Sequence, residues 1–138
     1  THLGDWQGLT HDEVDAGAPG ARLAWRDDAT WAPHGGESRV DVADRSLPLV
    51  AELLAGEPDW GNDEPERPVV LVAHGGLIAA LTAALLGLPV DNWPVLGGMG
   101  NTSLVQLSRH GLADAALSDI RWRLDVWNAS AQVANDVL

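Results

Sequence analysis

Cysteine and lysine are both absent from these 138 residues. Without cysteine there is no disulfide framework and no thiolate metal site, a composition compatible with a reducing compartment, so the cytoplasm is the expected location. Without lysine the chain has no Walker-type phosphate loop, and every basic residue is arginine. Long apolar runs are missing too. The longest, Leu77 to Leu86, is broken by Thr82 and is too short to span a bilayer, so no membrane partner is expected. Positive charge is scarce: 8 arginines face 20 acidic residues, the net charge is -12, and nucleic acid is not an expected partner. The start, Thr1-His2-Leu3-Gly4, lacks Met, a basic n-region and an apolar h-region, and reads as a chain cut mid-domain. Against these absences, 46% hydrophobic residues suffice for a core, so one compact unit or part of one is expected.

Along the chain, Thr10 and Glu13 have the spacing of a capping box and predict a short helix over Leu9 to Asp15. The Gly- and Pro-rich stretch from Ala16 to Gly36 predicts a structured surface excursion rather than regular secondary structure. Ser38 and Asp41 repeat the capping spacing. Val40, Ala43, Leu47, Val50 and Leu54 then follow at helical steps, with Pro48 expected to kink that helix or shift its boundary. Glu57 to Pro68 predicts a loop. Val69 to Ala73 is continuous and mostly β-branched, as in a strand buried on both faces of an α/β sheet, and Leu77 to Leu86 predicts a buried helix ending at Gly87. Downstream, Thr102 to Leu107 predicts a strand. Ile120 to Trp127 alternates apolar and polar residues, with Arg121, Arg123 and Asp125 guarding a half-exposed edge.

The chemistry concentrates at His74-Gly75-Gly76, between the predicted strand and the buried helix. Ligands of open α/β sheets bind beyond the carboxyl ends of strands. A helix start there supplies unpaired N–H groups and partial positive charge, glycines allow close approach of an oxygen, and an imidazole can donate a hydrogen bond to it. The pattern therefore predicts an anion site. The five histidines show no zinc-type spacing, so no metal is expected. An esterase would need Gly-x-Ser-x-Gly, and the nearest stretch, Gly36-Glu37-Ser38-Arg39-Val40, fails at its last position.

Four elements carry a family resemblance. Val69 to Gly76 resembles the second-histidine motif of the histidine phosphatase superfamily, the phosphoglycerate-mutase-like enzymes, and Pro33-His34-Gly35-Gly36-Glu37-Ser38 resembles its Gly-Glu-Ser motif. His2 to Gly8 is similar to the family's Gly-x-Trp-x-Gly element, and Gly100-Asn101-Thr102-Ser103 to the segment after the second-histidine helix. The resemblance implies a three-layer α/β/α fold with a mixed central sheet, of which residues 1–138 are the C-terminal part of a single domain with its N-terminal portion missing. It implies phosphoryl transfer from a phosphate monoester to a histidine, then hydrolysis of the phosphohistidine, with no cofactor.

In that family the nucleophile belongs to an N-terminal Arg-His-Gly, and the acid is a Glu that would fall just before Thr1. The chain alone is thus expected to be inactive. Arg109-His110-Gly111 spells the triplet, but its late position reads as a coincidental turn. The resemblance makes His74 the catalytic residue carried over, holding phosphoryl oxygens, with Gly75, Glu37, Ser38 and Asn101 at the phosphate or substrate. Ser38 as a helix cap, Glu37 as a solvated side chain and Asn101 as a loop-fixing residue are the plain alternatives. A mutase of the same superfamily and a non-catalytic remnant of the fold are the alternative functions. The expected partner is a phosphorylated small molecule. Exposed strand edges and several Trp residues predict marginal stability or association in isolation, with a homodimer a reasonable assembly.

Overall fold

A computed structural model describes residues 1–56, 68–110 and 116–130. The helices are α1 (His11–Gly17), α2 (Ala21–Asp27), α3 (Arg39–Gly56) and α4 (Gly75–Leu85), and the strands are β1 (Leu104–His110) and β2 (Arg121–Ala129). Short 3-10 turns occupy Gly4–Trp6, Val90–Val95 and Leu117–Asp119. The composition of elements is α/β, with a two-stranded antiparallel sheet among the described residues.

Local chemistry explains where the helices begin and end. At α1 the Glu13 N–H donates to the Thr10 hydroxyl at 3.3 Å while the Thr10 N–H donates to Glu13 at 2.7 Å, closing the predicted capping box. At α3 the Asp41 N–H donates to Ser38 Oγ at 3.1 Å, and the Ser38 N–H and Oγ–H donate back to Asp41 Oδ2 at 2.9 and 2.7 Å. Helix α4 stops where Gly87 turns left-handed, at φ +64°. The N–H of Gly87 reaches the Ala84 carbonyl and that of Leu88 the Ala83 carbonyl, capping the helix end in a Schellman motif.

Helices α3 and α4 pack against each other through small residues. Val42 and Ala43 of α3 and Ala80 and Ala83 of α4 are buried together with Ala29 and Trp93. Trp93 also closes its polar end, donating Nε1–H to the Leu88 carbonyl at 2.9 Å. Pro48 lies inside α3 without ending it. Its ring and Asp44, whose carbonyl loses an amide partner, both lie on the exposed side, where water can hydrate that carbonyl.

Four sequence expectations need correction. The excursion from Ala16 to Gly36 contains a regular helix, α2, which starts after Gly20 at φ +82°. Its run Ala21 to Arg26 is rich in good helix formers, whose preference prevails over the flanking Gly and Pro. Val69 to Ala73 forms no strand: Val70 is 75% exposed, Leu71 48% and Val72 95%. A strand needs a ladder partner, and β1 and β2 pair only with each other among the described residues. Arg109 and His110 are not a turn but the end of β1, paired with Trp122 and Arg121. The start of β1 moves to Leu104 because Thr102 adopts φ +61°, which breaks an extended run. The alternation of β2 is as read, with Arg121, Arg123 and Asp125 exposed. The predicted loop from Glu57 to Pro68 falls, apart from Pro68, outside the described residues.

Candidate active site

His74 is the residue before α4, in extended backbone at φ -98° and ψ 152°. Its carbonyl accepts the Ile78 N–H at 3.0 Å, which commits its backbone to the helix, while its side chain makes no capping bond and is exposed. Gly75 and Gly76 are the first two helical residues, so their N–H groups lack partners inside the helix. The space around them is limited. A methyl group on Gly75 would meet Met99 Cβ at 3.5 Å, and one on Gly76 would meet the Thr1 hydroxyl at 3.2 Å and Trp25 Cη2 at 3.9 Å. Four segments separated in sequence therefore converge on the α4 N-terminus: Thr1, α2 through Trp25, the His-Gly-Gly turn, and the loop before β1 through Met99. A sequence motif marks only the turn; Trp25 and Met99 fall in the loops from Ala16 to Gly36 and Asp91 to Gly100, on which substrate identity is expected to depend, and Thr1 carries no signal of its own.

Glu37 and Ser38 belong to the layer that fixes this convergence. Glu37 accepts both Arg45 Nε (2.5 Å) and Nη2 (3.1 Å), and also the His2 N–H at 2.6 Å, while its own N–H donates to the His2 carbonyl at 2.8 Å. The first residues are thus clipped to α3, with Thr1 held beside Gly76. Arg45, then the His2 amide, hold the Glu37 carboxyl at about 2, well below its ordinary 4.5. Ser38 is buried with its hydroxyl in the α3 cap, and that cap, Ser38 side chain first, keeps Asp41 below its usual range.

A pH dependence follows from the Glu37 clip. A carboxylate with a depressed folded-state pKa stabilises the fold above its unfolded value and loses that contribution as pH falls towards the folded value. The advantage of the wild type over Glu37→Gln is therefore complete above pH 4.5 and fades towards about pH 2. Arg45 is half-exposed, so screening leaves about 0.5–1 kcal/mol. Urea unfolding of both proteins at pH 7 and pH 3 checks this; a constant difference would show that the clip is not ionic.

A second pair of glycines docks the N-terminal segment. Gly4 lies at φ +54°, and a methyl group on it would sit 2.1 Å from the His34 carbonyl oxygen and 2.5 Å from the Gly36 nitrogen. The Asp5 N–H donates to that same carbonyl at 3.0 Å, and His34 Nδ1 lies 3.0 Å from Asp5 Oδ2 on the surface. The two glycine-containing motifs of the sequence are back to back.

Asn101 is exposed in the loop ahead of β1, and its carbonyl accepts the Thr102 hydroxyl at 2.6 Å. The residue that ties this loop down is Asn128, left-handed at φ +53°, whose Oδ1 accepts the Gly100 N–H at 2.8 Å. Among the described residues no three His, Asp or Glu side chains cluster to hold a metal, and no helix is long and apolar enough to cross a membrane. The arrangement is fitted to hold an anion: free amides at a helix start, an exposed imidazole beside them, and small residues leaving room.

Such a turn between an apolar run and a helix can receive a phosphate, and the Gly-Glu-Ser segment is tied to it through His2 and Thr1. Residues 1–128 match the sequence profile of the histidine phosphatase superfamily (branch 1), and the chain belongs to that family. The glucosyl-3-phosphoglycerate phosphatase of Mycolicibacterium vanbaalenii is 81% identical over 141 residues, covering 100% of this chain and 63% of the relative. A structure of mycobacterial glucosyl-3-phosphoglycerate phosphatase with inorganic phosphate superposes with a TM-score of 0.88 at 77% identity, covering 97% of this chain and 63% of that one. Bacillus stearothermophilus YhfR, at 27% identity, has a TM-score of 0.70 over 94% of this chain and 57% of its own. The chain thus spans about 63% of the length of the glucosyl-3-phosphoglycerate phosphatases.

Proposed function

We propose that the protein to which these residues belong hydrolyses a phosphate monoester, glucosyl-3-phosphoglycerate, through a phosphohistidine. The observation that carries this reading is the 81% identity to a phosphatase of that name, in a match that covers the whole chain.

In this reading the nucleophilic histidine, in an Arg-His-Gly segment upstream of Thr1, attacks phosphorus. The P–O bond to the glycerate oxygen breaks, and a glutamic acid protonates that oxygen as it leaves. Water then attacks the phosphohistidine, releasing inorganic phosphate and the free imidazole. His74 donates a hydrogen bond to the non-bridging oxygens, where charge accumulates, and the Gly75 N–H adds a second donor. Glu37 acts on the phosphate pocket by fixing the N-terminal segment beside Gly76, Ser38 lies next to it in the α3 cap, and Asn101 faces the substrate from the loop before β1. The reaction needs no metal or cofactor. The protein works in the cytoplasm as a homodimer, with no nucleic-acid or membrane partner.

The test uses an extended protein, these 138 residues joined to the upstream part of the Mycolicibacterium vanbaalenii relative. Phosphate release from glucosyl-3-phosphoglycerate is the expected result. Isomerisation of 3-phosphoglycerate without phosphate release would contradict it in favour of a mutase.

A further inference from the structure

Arg39 occupies a position that is unfavourable for a cation on several counts. It is the first residue of α3, where the helix dipole is positive, and its Nε is buried without a hydrogen-bond partner among the described residues. Burial, and after it the nearby Arg26 charge, lower its pKa from the ordinary guanidinium value, with Asp27 offsetting part of the effect. Carboxylates abound in this chain: Arg22, Arg45 and Arg123 pair with Asp15, Glu37 and Asp125, whereas Arg39 has no ion-pair partner among the described residues. Its guanidinium carbon lies instead 5.7 Å from the ring centroid of Trp25. Trp25 Nε1 is also buried and without a hydrogen bond among the described residues. Trp6 packs edge-on against the same ring at 6.3 Å, and the far edge of the ring points at Gly76.

Two unpaired donors thus share one aromatic shelf that leads to the start of α4. We propose that Arg39, backed by Trp25, is a specificity residue that receives a carboxylate on the leaving group of the phosphate ester, next to the phosphate held at His74 to Gly76. The inference rests on the phosphatase reading above for the position of the phosphate. A guanidinium offers a planar pair of donors that matches a carboxylate bidentately, and partial burial strengthens such a bond. A bound carboxylate would also relieve the opposition to the Arg39 charge, which an uncharged hydroxyl would not.

The experiment measures binding of 3-phosphoglycerate and of glycerol 3-phosphate, which lacks the carboxylate, by calorimetry. It uses the extended protein with its nucleophilic histidine replaced by alanine, so that neither ligand is turned over. The expected preference for 3-phosphoglycerate is about 10- to 100-fold. Arg39→Gln removes it while leaving glycerol 3-phosphate binding unchanged, and Arg39→Lys restores part of it. Absence of a preference in the starting protein, its survival in Arg39→Gln, or equal weakening of both ligands would overturn the proposal. Failure of the phosphatase reading shows separately, as a lack of phosphate release from the active extended protein.

Discussion

His74→Ala in the extended protein is expected to lower kcat for phosphate-ester hydrolysis by roughly 100- to 1,000-fold, the usual effect of deleting one donor to an oxygen that gains charge in the transition state. The fold should not register the change. The His74 ring is exposed and makes no capping bond, and α4 is started by the His74 carbonyl, which alanine retains. The unfolding free energy should therefore move by less than about 0.5 kcal/mol. Steady-state kinetics and urea unfolding of the same preparation separate the two quantities. Activity within a few-fold of wild type would remove His74 from the phosphoryl oxygens, and a parallel loss of stability would make it a structural residue.

Gly4→Ala is expected to be the most destabilising single methyl group in the N-terminal half. At 2.1 Å from the His34 carbonyl oxygen and 2.5 Å from the Gly36 nitrogen, the methyl meets backbone on both sides, where no rotamer can give way. The segment must undock, losing the Asp5 to His34 bond and the paired His2 and Glu37 bonds, and Thr1 leaves Gly76. A cost above about 3 kcal/mol is expected. Gly8→Ala is the matched control. Gly8 also has positive φ, at +80°, but nothing lies within 4 Å of its added methyl, so only backbone strain of about 1–2 kcal/mol applies. Equal costs for the two variants in urea unfolding would show that the glycine contact does not hold the segment.

Features that depend on near neighbours were legible in the sequence. The Thr10 and Ser38 caps and the Gly87 stop each rest on contacts within a few residues, and each formed; β2 formed because its partner β1 is the preceding strand. Features that depend on distant partners were not. Val69 to Ala73 has the composition of a buried strand, but composition does not supply the neighbouring strands, and Val70, Leu71 and Val72 stand in solvent. The contact of Gly4 with Gly36 and the hold of Glu37 on His2 join residues more than thirty apart. Their motifs were visible, but not that one glycine motif is the seat of the other. At the site, His74-Gly75-Gly76 could be found because strand, turn and helix signals adjoin. Trp25 looked like part of a surface excursion, since nothing local says that its ring ends beside Gly76.

The central claim is that these residues supply the phosphate-holding half of a histidine phosphatase site, and the most direct measurement compares phosphomonoester hydrolysis by the 138-residue chain with that by the extended protein. Turnover is expected in the extended protein, with loss of it in His74→Ala and none in the 138 residues alone. Turnover by the 138 residues alone would place a nucleophile within them and contradict the mechanism.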